Sequence, residues 1–261
     1  MNHTFVICAY KESPFLEECI QSLLCQTIKS HILISTSTPN SYLDAVSKKY
    51  QIPIYVNDIA GGIAEDWNFG MNKAETPFVT IAHQDDIYEP QYAEKILNLI
   101  GESNNPLIAF TDYYEIRDGA KVYKNRLLQI KRLLLSPLSV KAAKGSKFVR
   151  RRSLSLGNGI CCPSVTYVRS NLPNPLFLTN YKCNLDWQTW ERLSKLDGDF
   201  LYLHTKLVGH RIHIGSETTH LILDNRRTEE DLEMFCQFWP LGIARFLAWV
   251  YASAEKSNVL T

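Results

Sequence analysis

Short apolar runs alternate with helix-spaced apolar stripes along the first 110 residues. The runs suit buried strands at Thr4–Ala9, His31–Ser35, Ile54–Val56, Phe78–Ala82 and Leu107–Thr111. Between them, leucine, isoleucine and aromatic side chains recur three or four positions apart, as on one face of a helix. Repeated strand–helix units predict an α/β fold with a mostly parallel, Rossmann-like sheet flanked by helices. Ligands of such sheets bind beyond the carboxyl ends of the strands, so we expect the residues after the first, second and fourth runs to line a site.

The second half of the chain is less regular. The patterns predict a tight turn, a strand, a helix and two further strands, in this order at Asp118-Gly119, Val165–Val168, Asp186–Leu196, Phe200–Leu203 and Val208–His213. The stretch Leu232–Ala254 predicts a helical end that is unusually rich in aromatic residues.

We predict one domain followed by a tail. No internal repeat or linker divides residues 1–220, so they are expected to form a single unit with halves at 1–112 and 113–220. Residues 221–261 form the predicted helical C-terminal tail.

Composition narrows the class of protein. The chain is 45% hydrophobic and 21% charged, as in ordinary globular proteins, and no apolar run reaches the roughly 18 residues of a membrane span. The first residues lack the basic and apolar regions of a signal peptide. Seven cysteines without metal-like spacing predict a reducing, cytoplasmic location.

The net charge of +1 hides an uneven distribution. The basic segment, Arg117–Arg152, contains twelve lysines and arginines and one acid, so it carries +11 and the remainder −10. Only Tyr123 and Phe148 could stack on bases there, which argues against nucleic acid. Basic and apolar residues mix over Leu127–Leu138, as at an anionic membrane surface. The alternative is that the basic segment pairs with the acidic remainder of the protein.

Two adjacent carboxylates, Asp85 and Asp86, form the strongest local chemical signal. They follow a buried strand and precede a helix that a proline initiates. Carboxylates at such a strand end can hold Mg²⁺ or Mn²⁺, which in turn bind substrate phosphates. The alternative is that Asp86 or Glu89 caps the helix. Taken alone, the acid pair favours the cap.

Four sequence stretches in a fixed order favour the metal-binding interpretation over the helix cap. They are FVICAYKE at 5–12, GGIAEDWNFG at 61–70, HQDD at 83–86 and LDWQTWERL at 185–193. In their order and spacing, from about Thr4 to His213, the chain resembles the inverting family 2 glycosyltransferases of bacterial type, which have the GT-A fold. The resemblance implies that the half at 1–112 binds a nucleotide sugar and the half at 113–220 binds the acceptor.

The resemblance also implies roles for single residues. Asp186 falls on the family's general base, which takes a proton from the acceptor hydroxyl. Asp85 falls on the metal-binding aspartate of the D-x-D triplet, and His213, in a segment that closes over the donor phosphates, would bind the metal or those phosphates. The donor would contact Ala9, Tyr10, Glu12, Ser37, Asn68, His83, Gln84 and Arg211.

Residue chemistry supports the base but leaves alternatives open. An aspartate at a helix N-terminus is favoured as the anion, which a base requires, and the same position suits a simple N-cap. Trp187 and Trp190 lie three residues apart on the predicted helix. Core packing and stacking on an acceptor sugar are both consistent with that spacing.

Several departures from the family pattern affect the donor site. The stretch ISTSTPN at 34–40 replaces the D-D-G-S whose aspartate recognises the nucleobase, and its hydroxyls carry no charge. His83 replaces the first aspartate of the triplet, and Leu185 replaces a glutamate beside the base. These departures motivate an alternative function, a non-catalytic nucleotide-sugar-binding or assembly subunit with the same fold.

The predicted function is metal-dependent, inverting sugar transfer of the hexosyltransferase type, with Mn²⁺ or Mg²⁺ as cofactor. The default donor is a UDP-sugar. The acceptor would be a saccharide, free or lipid-linked, in cell-surface polysaccharide synthesis. The aromatic tail is expected to meet the inner membrane surface, its own domain or a second copy in a homodimer.

Overall fold

The computed structural model of the chain describes residues 1–59, 61–213 and 226–259. Nine strands within these ranges form one sheet. The strands are β1 (His3–Ala9), β2 (His31–Thr36), β3 (Ile54–Val56), β4 (Phe78–His83), β5 (Ile87–Tyr88), β6 (Pro106–Arg117), β7 (Ala120–Val122), β8 (Val165–Val168) and β9 (Asp199–Ile212).

Nine α-helices lie in the same described ranges, joined in places by short 3₁₀ turns. They are α1 (Leu16–Leu24), α2 (Ser41–Tyr50), α3 (Ile63–Lys73), α4 (Tyr92–Gly101), α5 (Arg126–Leu135), α6 (Lys147–Leu154), α7 (Leu185–Leu193), α8 (Arg226–Cys236) and α9 (Leu241–Val259).

The sheet has a parallel half and a mixed half. Its order is β3-β2-β1-β4-β8-β6-β9-β5, and β7 pairs with β6. β1 runs parallel to β2 and β4, and β2 runs parallel to β3. β8 is antiparallel to β4 and β6, whereas β6 and β9 are parallel. The predicted α/β class with flanking helices is confirmed, and the sheet becomes mixed beyond β4.

Side chains of β1 enter two apolar layers because successive residues of a strand point to opposite faces. Val6 packs in the layer that contains α3 and α7 residues, while Phe5 and Ile7 pack in the layer of α1 and α4. Trp187 and Trp190 of α7 are fully buried in the first layer. Core packing is therefore the role of both tryptophans.

The strand register brings the expected site stretches together. Cys8, near the end of β1, pairs with Ser35 on β2 and with His83 on β4. The residues after these three strands therefore lie side by side at one edge of the sheet, as the sequence pattern predicts.

The basic segment is helical and largely neutralised. Residues 117–152 include α5 and α6, and at least seven of their twelve basic side chains pair with a carboxylate. The pairs are Arg117–Glu115, Lys121–Glu89, Arg132–Asp112, Lys141–Glu102, Lys144–Asp199, Lys147–Asp197 and Arg151–Glu191. These contacts agree with the alternative in which the segment pairs with the acidic remainder of the protein.

Two element predictions are wrong in detail. The strands predicted at Phe200–Leu203 and Val208–His213 are one continuous strand, β9, whose pairing with β6 shifts register near Asp112. The tail is two helices rather than one, because Pro240 lacks an N–H and disfavours helix in the residue before it.

The tail helices pack on the domain with one face only. Phe235 meets Trp187 edge to face, and Ala244 and Ala248 of α9 are buried. The predicted domain boundary at 220/221 lies outside the described residues. In the described part of the chain, no helix combines the length and apolarity that crossing a membrane requires.

Candidate active site

The turn between β4 and β5, residues 83–86, is called the acid turn below. The side-chain amide of Gln84 joins it to the end of β1 through one accepted and one donated hydrogen bond, as a backbone peptide group would. Gln84 accepts a hydrogen bond from the Tyr10 N–H at 3.2 Å and donates one to the Tyr10 carbonyl at 3.0 Å. These two bonds hold the residues that follow β1 beside the residues that follow β4.

The outer carboxylate of the acid turn faces the end of β9. His213 Nε2 lies 2.9 Å from Asp85 Oδ2, and the Arg211 Nε donates to the Asp85 carbonyl at 2.9 Å. The Arg211 guanidinium also bonds Glu18 at 2.6 Å and lies over the Phe15 ring. The C-terminal end of β9 therefore lies over the acid turn.

The inner carboxylate, Asp86, is fully buried. It accepts bonds from His210 Nδ1 at 3.0 Å and from the Arg211 N–H at 2.8 Å. Burial by itself raises the pKa of Asp86, but His210, His83 and the Arg211 N–H outweigh it and hold that pKa below its ordinary value. The same contact raises the pKa of His210 although burial opposes it. Asp86 thus joins β9 to the acid turn as half of an ion pair.

Neither acid caps the following helix. The residue before α4 is Gln91, whose side chain makes no capping bond, and Glu89 instead accepts bonds from Tyr114 and Lys121. The capping interpretation is therefore wrong. Asp86 pairs with residues of β9, and Glu89 pairs with residues of β6 and β7, all of them distant in sequence.

The acid turn also suits a divalent cation. His83, Asp85 and Asp86 each offer one ligand atom, and these atoms lie within 4.8 Å of one another. Carboxylate oxygen with imidazole nitrogen is a donor set that Mn²⁺ accepts. Asp86 is engaged with His210, whereas Asp85 and His213 already converge at hydrogen-bond distance. The residues present therefore fit a cation, whose ligands would come from His83, Asp85 and Asp86, with His213 beside Asp85.

The end of β2, where the sequence has only hydroxyl side chains, lies beside the carboxylate of Asp66. Ser37, just after β2, donates to Asp66 Oδ2 at 2.6 Å, and Asn57 donates to Asp66 Oδ1 at 2.8 Å. Sequence analysis missed Asp66 because it lies on α3, about thirty residues from Ser37. The available signal was an acid in the first turn of the helix after Gly61-Gly62.

Asp186 lies in the first turn of α7 and is not its N-cap, which is Asn184. Asp186 Oδ1 accepts the Trp187 N–H at 2.6 Å, and Oδ2 accepts the Asn158 amide at 2.7 Å. Burial raises the pKa of Asp186, and the bonds from Trp187 and Asn158 lower it only in part. A carboxylate with raised proton affinity, fixed by neutral donors, is suited to take a proton.

The start of α7 is held by carboxylates from α8 that sequence analysis also missed. Glu230 accepts the backbone N–H groups of residues 182, 183 and 184, and Asp231 accepts the Asn184 amide. These bonds satisfy the free N–H groups before the helix, so α8 positions the turn that carries Asp186.

The remaining predicted donor contacts fall into two groups. Tyr10 and Glu12 are exposed at the end of β1 beside the buried Ala9, and His83 stacks on Trp67 with ring centres 5.4 Å apart. Asn68 differs, because its amide bonds the backbone of Leu176 and Phe177. Its observed role is to hold that loop, which does not support a donor contact.

Comparisons with known proteins bear on the family and the fold of the chain. Residues 4–172 match the model of the family described as Glycosyl transferase family 2. An uncharacterized glycosyltransferase of Rickettsia prowazekii is 22% identical over 88% of this chain and 69% of its own length. One of Haemophilus influenzae is 29% identical over 42% of this chain and 36% of its own length. The crystal structure of Staphylococcus aureus TarS 1–349 with UDP-GlcNAc superposes with a TM-score of 0.64 at 13% identity, over 95% of this chain and 70% of that one. The expected GT-A fold is confirmed.

Proposed function

Because the chain belongs to glycosyl transferase family 2 and is a glycosyltransferase, we propose that it transfers a sugar from a nucleotide-sugar donor to a saccharide hydroxyl with inversion. The observation that carries the proposal is the pairing of an acid turn closed by β9 with a separately held, partly buried Asp186. Relatives named as glycosyltransferases favour this enzyme over the non-catalytic alternative.

Asp186 acts as the general base in the proposed reaction. Its carboxylate takes the proton of the acceptor hydroxyl while that oxygen attacks the anomeric carbon from the face opposite the diphosphate. One carbon–oxygen bond forms to the acceptor as the bond to the diphosphate breaks, and the proton ends on Asp186. Because the reaction is a single displacement, the configuration at the anomeric carbon inverts, and one base suffices.

The charges around the acid turn receive the leaving diphosphate. Asp85 and His213 would hold Mn²⁺ or Mg²⁺, which supplies positive charge to the departing oxygens. Arg211, at the end of β9, adds a fixed guanidinium beside the same turn. A UDP-sugar is the proposed donor, since the similar TarS structures hold UDP-GlcNAc and UDP.

Donor binding is the direct test. Calorimetry of the full chain with a panel of nucleotide sugars and Mn²⁺ should give binding of at least one donor. Asp85→Asn should weaken that binding in the presence of Mn²⁺, whereas Asp44→Asn, an identical change on the exposed surface of α2, should leave it unchanged. A folded protein that binds no nucleotide sugar would refute the proposed function.

The acceptor is proposed to be lipid-linked and used in cell-surface polysaccharide synthesis, with the enzyme at the inner membrane face. The support comes from α9, where Phe246 is 62% and Trp249 is 67% exposed, next to the exposed Arg245. Tryptophan and phenylalanine beside a basic residue suit the headgroup region of a membrane. Because most of the basic segment is paired, the proposed contact rests on α9.

Co-sedimentation with phosphatidylglycerol vesicles tests this membrane contact. We expect binding that persists at high salt, since apolar contacts are not screened, and that Trp249→Ser with Phe246→Ser abolishes. No binding at low salt would overturn the proposal. A concentration-dependent dimer that the same double variant dissociates would instead assign the α9 surface to a homodimer.

A further inference from the structure

The donor end of the sheet has an unusual arrangement of polar groups around Asp66. Ser37 lies in the stretch at 34–40 that replaces the family's strand-end aspartates, and it donates its hydroxyl to Asp66 Oδ2 at 2.6 Å. Asn57, which follows β3 and is nearly fully buried, donates to Oδ1 at 2.8 Å. Two elements therefore aim hydrogen-bond donors at one carboxylate supplied by a third.

Close packing holds Asp66 against the strand ends. Its helix, α3, lies so near β1 and β2 that a Cβ on Gly70 would come within 2.6 Å of Val6 and 3.1 Å of Ser35. Burial raises the pKa of the Cys8 thiol, and the charge of Asp66 raises it further. The carboxylate thus lies close to the end of β1, beside the segment that leads to Tyr10.

The carboxylate retains capacity for a ligand. Each carboxylate oxygen can accept about two hydrogen bonds, and the bonds from Ser37 and Asn57 use one on each oxygen. The Asp66 side chain is only partly buried. A ligand N–H that approaches the ends of β1 and β2 can therefore bond a charged acceptor whose orientation is already set.

We propose that Asp66 recognises the nucleobase of the donor, so that α3 supplies the charge that the end of β2 lacks. The inference rests on the proposed function and names its substrate class. A fixed carboxylate pairs with a ring N–H, as in uracil, thymine and guanine. Adenine and cytosine can donate an exocyclic N–H to one carboxylate oxygen, but their neighbouring ring-nitrogen lone pair then faces the other oxygen and repels it. The donor is therefore a uridine, thymidine or guanosine diphosphate sugar.

The size of the preference follows from the cost of unpaired polar groups. A site built to bond a ligand N–H discriminates strongly against a ligand that lacks it, since the carboxylate then loses water without gaining a partner. We expect at least a tenfold preference for UDP or GDP over ADP and CDP.

The test is calorimetry of the full chain with Mn²⁺ and UDP, GDP, ADP, CDP or inorganic pyrophosphate. Asp66→Asn should weaken the preferred nucleotide about 10-fold to 100-fold, the range of a hydrogen bond to a charged group. Affinity for pyrophosphate should not change. The matched control is Glu65→Gln, which removes the neighbouring charge from the same helix turn and should leave every affinity unchanged.

A relocation variant separates base recognition from a structural role. Ser37→Asp with Asp66→Ser returns the carboxylate to the end of β2 and should restore part of the base preference. Thermal unfolding of each variant reports on the fold. Wild-type protein that binds nucleotides without preference, or an Asp66→Asn variant that loses pyrophosphate and nucleotide affinity equally, would overturn the inference alone. Wild-type protein that binds no nucleotide would overturn the proposed function as well.

Discussion

The acid turn after β4 and the first turn of α7 each hold an aspartate, fully buried Asp86 and partly buried Asp186, with opposite electrostatics. Asp86 is surrounded by His210, His83 and a backbone N–H, and its pKa is lowered although burial opposes this. Burial raises the pKa of Asp186, and its partners are a neutral amide and a backbone N–H. One environment keeps a carboxylate charged, and the other increases its affinity for a proton.

This difference matches the work proposed for each region. A turn that faces a cation and a diphosphate needs stable charges in fixed positions, which an ion pair with β9 supplies. A general base needs a pKa closer to the pH at which it operates, and burial is one way to raise it. The two proposed roles therefore fall on different elements, the fixed charges on the acid turn and β9 and the proton acceptor on α7.

The largest expected effect separates the two regions by function. Asp186→Asn should lower kcat by about 10²-fold to 10⁴-fold, the usual contribution of a general base. Donor affinity measured by calorimetry should stay unchanged, because Asp186 hydrogen-bonds Asn158 and Trp187, which lie outside the acid turn. If turnover remains near the wild-type rate, Asp186 is not the base. Asp44→Asn on the surface of α2 is the control for the isosteric change.

The second prediction concerns the fold. Asp86→Asn should destabilise the protein by about 3 kcal/mol, because it breaks an ion pair whose carboxylate is fully buried and leaves His210 without its charged partner. Thermal or urea unfolding measures the change. The neighbouring Asp85→Asn is the matched control, and as a partly exposed pair with His213 it should cost less than about 1 kcal/mol. Equal losses for both variants would contradict the ion-pair role of Asp86.

The regular parts of the fold could be predicted because their signals are local. β3 and β8 have the predicted bounds, since each is an apolar run ended by polar residues or turns. β9 was split in the prediction because His204 and Thr205 are exposed in its middle, where pairing with β6 becomes irregular. A strand can continue through exposed residues when the neighbouring strand, here β6, pairs with it on both sides of them. That pairing cannot be read from the local sequence of β9.

The site could be predicted only where one residue carries the chemistry. Asp85 and Asp186 stand in short motifs, so the resemblance identifies them directly. Asn158, Asp66 and Glu230 act through partners about 30 to 50 residues away. Folding brings these pairs together, and neither member carries a distinctive local pattern.

The third prediction concerns how the base is held. Asn158→Ala removes the amide that bonds Asp186 Oδ2, so kcat should fall about tenfold, as expected for a hydrogen bond to a charged group. The amide also lowers the pKa of Asp186 in part. Its loss should therefore move the acidic limb of the kcat profile to higher pH. The exposed Asn104→Ala is the control. A lower kcat with an unmoved profile would indicate a purely structural role for Asn158.

The smallest expected effect is an increase in stability, opposite in sign to the loss expected for Asp86→Asn. Asp186→Asn should stabilise the fold at neutral pH by about 1 kcal/mol, because it removes a partly desolvated charge while keeping the side-chain shape. The pKa of Asp186 is raised above its ordinary value of 3.8, so the folded state binds the proton more tightly than the unfolded chain. Stability of the wild type therefore falls as pH rises from 3.8 through the raised pKa, and asparagine does not titrate. The gain should shrink as pH falls towards 3.8 and level off above the raised pKa, as followed by thermal unfolding over a pH series. A gain that does not vary with pH, or a loss like that of Asp86→Asn, would mean that the two aspartates are held alike.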